Sequence, residues 1–79
     1  MTNRDLLRGK IVAAGHTHAS FARAMGMGLS TLSAKMNNHR PFDSDEIIRA
    51  CEVLRVSEDR EKIQIFLSPT SQFRDNKAG

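Results

Sequence analysis

Breaks in the helical pattern come early and often in this sequence. Gly15, Gly26 and Pro41 interrupt the first half of the chain, so no regular element there can be long. Between the breaks, apolar residues recur at helical spacing. Leu7, Ile11 and Ala14 step by four and three, Leu6 and Val12 broaden that stripe, Thr2 or Asn3 can cap its start, and Asp5 sits in the first turn. Thr17 caps a second short segment on which Phe21, Ala22 and Met25 share a side. A third begins at Gly28 or Ser30 and has a narrow inner stripe of Leu32 and Met36. Its other residues, Leu29, Ser30, Thr31, Ser33, Ala34 and Lys35, are expected to be mostly outward, with Asn37, Asn38 and His39 at its end.

Asp43 followed by Glu46 is a capping pair for a fourth helix with an inner stripe of Ile47, Ile48, Cys51 and Leu54. Ser57 to Lys62 opens another charged start. The "KIQIFL" that follows fits period two through Ile63, Ile65 and Leu67 as well as helical period. The reading adopted is a short fifth helix to about Gln64 and then an extended exit ended by Pro69. Residues 69–79 lack periodicity and read as a loose tail, which leaves one domain over residues 1–68. With 79 residues, no Trp or Tyr, and apolar content carried mainly by Leu, Ile, Met, Val and Ala, the expected fold is all-α, a compact bundle of four to five helices.

Composition also narrows the chemistry. A single cysteine, Cys51, excludes an internal disulfide, and its place on the fourth helical stripe predicts a buried thiol. His16, His18 and His39 have no placed carboxylate or thiol that would complete a metal site, so no metal or other cofactor is expected. No nucleophile elbow or phosphate loop occurs, which argues against an enzyme. No apolar run approaches the roughly 20 residues of a membrane span, and the polar N-terminus is unlike a signal peptide; the expectation is a cytoplasmic protein.

Charge is unevenly divided. Residues 1–42 hold six basic side chains against Asp5 alone, a net of +5, whereas residues 43–79 hold six against eight acids, a net of −2. A positive half of this kind attracts polyanions such as nucleic acid. Two short helices joined by a turn with a glycine and an apolar residue, Gly26 and Met27, describe a helix-turn-helix. The second helix of such a pair projects its outer side, and a helix fits the major groove of B-form DNA.

The stretches "GHTHASFARAMGMGLSTLSAKMNNHRPF" and "DSDEIIRACEVLRVS" make the chain resemble Xre/Cro-type helix-turn-helix regulators, in particular the short Cro-like proteins of phages and prophages, over roughly residues 5–57. Thr17, Phe21-Ala22, Met25-Gly26, Leu32-Ser33 and Asn37 fit the family spacing. The resemblance implies a lambda-repressor-like bundle and operator binding, usually as a dimer. His18 stands where Gln is usual, Gly28 where Ser or Thr is common, Asn38 where Gly is usual, and Ala34 where a longer polar residue often reads bases.

Base-edge candidates are therefore Leu29, Ser30, Thr31, Ala34 and Lys35, with Leu29 read either as a base contact or as a packing residue. Phosphate candidates are Thr17, His18, Gly28, Asn37, Asn38, His39 and Arg40, at helix ends beside the groove. Ile65, Phe66, Leu67 and Phe73 are candidates for a homodimer contact, although Ile63 and Phe66 also suit the core. The expected partner is double-stranded DNA. The alternative is a protein-interaction module, antirepressor-like, binding a partner protein through residues 63–73.

Overall fold

In the computed structural model, which describes residues 1–68, five helices follow one another in the order α1 (Arg4–Ala13), α2 (His18–Ala24), α3 (Leu29–Met36), α4 (Ser44–Leu54) and α5 (Asp59–Phe66). The described chain is all-α. Phe73 and the tail assigned to residues 69–79 lie outside the described residues. Among the described residues, no helix is long and apolar enough to cross a membrane.

Three of the starts are capped by a side chain. Asn3, not Thr2, caps α1, its Oδ1 accepting the Leu6 amide at 3.1 Å. Thr17 and Ser20 form a reciprocal box at α2: the Ser20 amide donates to Thr17 Oγ1, and the Thr17 amide to Ser20 Oγ, both at 3.0 Å. Asp43 and Glu46 do the same at α4, at 2.8 and 3.0 Å. Such caps satisfy amides that the helix itself leaves free. Gly28 and Glu58 precede α3 and α5 without a side-chain cap.

Helices α1 to α4 end alike. A left-handed residue closes each one: Gly15, Gly26 and Asn38 just after the caps of α1 to α3, and Arg55 as the cap of α4 itself. Its amide and the next one then close back on the last turn, as in Asn38 N to Lys35 O at 3.2 Å and His39 N to Ala34 O at 2.9 Å. Val56, which follows Arg55, is buried by this reversal.

Leu7, Ile11, Phe21, Leu32 and Ile65 are the largest fully buried side chains. They join Ala22, Met25, Met36, Phe42, Ala50, Cys51, Leu54, Val56 and Phe66 in one core. Phe42 meets Phe66 edge to face, with ring centroids 5.4 Å apart. Helix α2 packs on α3, and α1 on α5.

Several side chains depart from the expected stripes. Leu6 and Val12 are exposed because Leu7 and Ile11 take the inner line of α1, and their neighbours are turned about 100° from it. Ala14 caps the end of α1 and is exposed, and Ile48 is turned out from the Ala50–Cys51–Leu54 face of α4. The segment expected to be extended is helical through Phe66, with the Leu67 amide bonded to Ile63 O at 2.9 Å. Period two would have put Ile63, Ile65 and Leu67 on one face. The helix instead buries Ile65 and Phe66 and exposes Ile63 and Leu67.

The residues before α1 stitch the bundle together. Met1 and Ser68 exchange backbone bonds, at 2.9 and 3.1 Å, and the Asn3 amide donates to Ile65 O at 2.7 Å. Between them, Thr2 is buried. Its amide donates to Asn38 Oδ1 at 2.8 Å and its carbonyl accepts from Asn38 Nδ2 at 3.0 Å.

Candidate nucleic-acid interface

The α2–turn–α3 unit is held from below. Phe21, Ala22 and Met25 of α2 and Leu32 and Met36 of α3 are buried, and Met27 in the turn packs against them. That leaves the opposite side of α3 free. Leu29, Ser30, Ser33 and Asn37 are exposed, and Thr31 and Ala34 are half-buried. Leu29, Ser33 and Asn37 lie four residues apart and so form one strip.

Lys35 is a correction. It was expected to point outward as a base-edge residue, but it is only 7% exposed. Its Nζ donates to both oxygens of Glu46, at 2.5 and 2.7 Å, and lies 6.0 Å from the centre of the Phe42 ring. Three residues after Leu32 and one before Met36, it sits on the inner side of α3, and the capped first turn of α4 presents Glu46 to it. The Lys35 hydrogen bonds are the largest cause of a Glu46 carboxyl held below its ordinary range; burial opposes them, while the Asp43 amide and the charges of Lys35 and Arg40 assist. Burial pushes the Cys51 thiol up, against the weaker effect of Lys62.

The phosphate candidates divide. Thr17, Gly28, His39 and Arg40 are exposed at the ends of α2 and α3. Asn38 is already committed to Thr2 on both ends of its amide. His18 and Asn37 meet across a cleft of about 230 Å³ between α1 and the α2–α3 unit. Arg40 belongs to a different hollow, beside Pro41, Phe42 and Leu67.

The cleft also contains two residues that sequence reasoning missed, Arg4 and Arg8. Arg4 Nη1 donates to Asn37 Oδ1 at 2.8 Å, and Asn37 Nδ2 reaches Ser33 Oγ at 3.4 Å. Ser33 and Leu29 line the cleft as well as the outer strip, so the basic cleft and the free face of α3 are continuous. Among the described residues, no carboxylate lines it. A four-residue spacing on α1 was the available signal, but only the packing of the bundle brings that face beside α3.

The proposed dimer contact needs revision too. Ile65 and Phe66 are 1% and 4% exposed and belong to the core, because α5 remains helical where an extended exit was expected. Leu67 is 59% exposed, as is Ile63 at 52%, a residue expected inside.

Among the described residues, these features define five helices, one pair of which presents a face of mostly small side chains beside a cleft lined by two arginines. The chain belongs to the family described as "Protein of unknown function (DUF739)", whose model matches residues 3–68 and so takes in all five helices. A comparison with curated proteins finds no match.

Proposed function

We propose that this protein is a non-catalytic regulator of transcription that binds double-stranded DNA and occupies an operator as a homodimer, in the manner of the phage or prophage Cro-like proteins it resembles. The observation that carries this reading is the free face of α3, formed by Leu29, Ser30 and Ser33 with Thr31 and Ala34 at its margin, flanked by Arg4, Arg8 and His18 with no carboxylate between them among the described residues. Small side chains let a helix backbone approach the groove floor. The hydroxyls of Ser30, Thr31 and Ser33 can donate to or accept from base edges, and Leu29 and Ala34 suit thymine methyl groups. Thr17, Gly28, His39 and Arg40 border that face and suit the phosphate backbone. The compartment that goes with this reading is the cytoplasm.

Selection of bound duplexes from a random pool tests the proposal. The expected winner is a palindrome with half-sites about one helical turn apart. In an NMR titration with that duplex, the amides between Gly28 and Arg40 should move. If they stay still while the duplex binds, the assigned surface is wrong.

The exposed pair Ile63 and Leu67 favours a second reading, a module that captures a partner protein. Binding to random duplex that weakens steeply with salt supports the first reading, and salt-insensitive capture of a protein through α5 supports the second.

A further inference from the structure

We infer that the cleft between α1 and α3 seats a single DNA backbone phosphodiester, clamped jointly by Arg4 and Arg8. The inference rests on the DNA-binding reading and adds to it a site on a helix outside the α2–α3 pair.

Arg4 and Arg8 lie one above the other on α1, and both line the cleft with His18. Arg4 is pre-oriented, since one of its N–H groups is fixed to Asn37 Oδ1 at 2.8 Å and the rest of its donors remain for a ligand. Arg8 has no ion-pair partner among the described residues. The nearest acid in sequence, Asp5, is exposed, does not line the cleft and pairs with neither arginine. Buried Leu32 and Met36 form an apolar floor, which strengthens an electrostatic contact made above it. Two arginines lining one small hollow suit the several oxygens of a phosphate group, which guanidinium forks bind bidentately.

Free inorganic phosphate has the same chemistry, but the position of the cleft favours the phosphodiester. Ser33 and Leu29 belong to both the cleft and the outer strip of α3, so an anion seated here touches whatever duplex α3 enters. B-form DNA carries a phosphate charge about every 1.7 Å along its axis, so a groove occupied by α3 has phosphates at its rim.

The test is the salt dependence of binding to a mixed-sequence duplex by the full chain and by Arg4→Ala, Arg8→Ala and the double variant, with Arg60→Ala on α5 as control. Circular dichroism melts establish that each is folded, and the Arg4→Lys/Arg8→Lys double variant keeps both charges if the alanine pair does not fold. A shared phosphate predicts that the log–log salt slope falls by about 1 in the double alanine variant, by less in either single variant, and not at all in Arg60→Ala. The lysine pair should keep the slope and lose affinity, because the forks are gone. A fall of about 2 in the double alanine variant would put each arginine on its own phosphate and overturn the joint clamp. An unchanged slope, with binding still abolished by altering Ser30 and Ser33, overturns the clamp and leaves the DNA reading standing; no duplex binding by the unaltered chain overturns both. In a parallel titration with inorganic phosphate, the Arg8 side-chain NMR signal should shift only weakly. Its saturation at concentrations that leave duplex binding intact would identify a free-anion site instead.

Discussion

Lys35 and Glu46 tie the last turn of α3 to the first turn of α4, with both carboxylate oxygens accepting from one ammonium group at 2.5 and 2.7 Å. Lys35→Met keeps the length of the side chain and leaves Glu46 without its strongest partner. The side chains are 9% and 23% exposed, so the pair falls between surface and fully buried cases. The expected cost is about 2 kcal/mol, read from the urea midpoint. The salt slope of DNA binding should not change, since this ammonium faces inward; a lower slope would make Lys35 a phosphate contact after all.

The same pair sets an acid limit. Lys35, first among the causes, holds the Glu46 carboxyl below its ordinary value of 4.5 in the folded chain. On acidification the unfolded chain therefore takes up this proton first, which favours unfolding. The stabilisation is complete above about pH 4.5 and fades as pH falls through the depressed folded value. Glu46→Gln should flatten that part of the stability–pH profile. A wild-type advantage over Glu46→Gln that stays constant on acidification refutes this assignment.

Asn38 and Arg55 are both left-handed, with φ of 63° and 58°, yet glycine should act oppositely at the two sites. At Arg55 it relieves backbone strain and should raise stability by about 0.5–1 kcal/mol. At Asn38 it removes both bonds to the Thr2 backbone and should lower stability by about 1–2 kcal/mol. Paired thermal melts check the sign at each position.

Ile63 on α5 and Leu67, the cap that ends it, lie one turn apart and are both exposed. If they form the two-fold contact, Ile63→Ser with Leu67→Ser should raise the dissociation constant of the dimer, measured by sedimentation equilibrium. Monomer stability should change by no more than about 0.5 kcal/mol. Unaltered self-association would move the contact elsewhere.

What could be read from the sequence was local. Thr17 and the pair Asp43 and Glu46 fix the starts of α2 and α4 within a few residues, and Gly15 and Gly26 mark the ends of α1 and α2, so four of the helices could be placed from pattern alone. Asn38 at the end of α3 was recognisable because asparagine tolerates the left-handed turn, whereas arginine at position 55 carries no such signal. The inward turn of Lys35 depends on where α4 delivers Glu46, and the closeness of Arg4 to Asn37 depends on how α1 crosses α3. Both are tertiary relations between residues whose types suit an exposed face equally well. The outer strip of α3 was legible because its inner stripe, Leu32 and Met36, was.

The Asn38–Thr2 clasp makes α3 a stiff probe. Its far end is fastened to the segment leading into α1 as well as to α4, so rocking it would drag two other helices along. If α3 receives a duplex as proposed, the duplex has to do the yielding itself, through groove width and curvature. Base steps that flex cheaply would then be preferred even where no side chain reaches them.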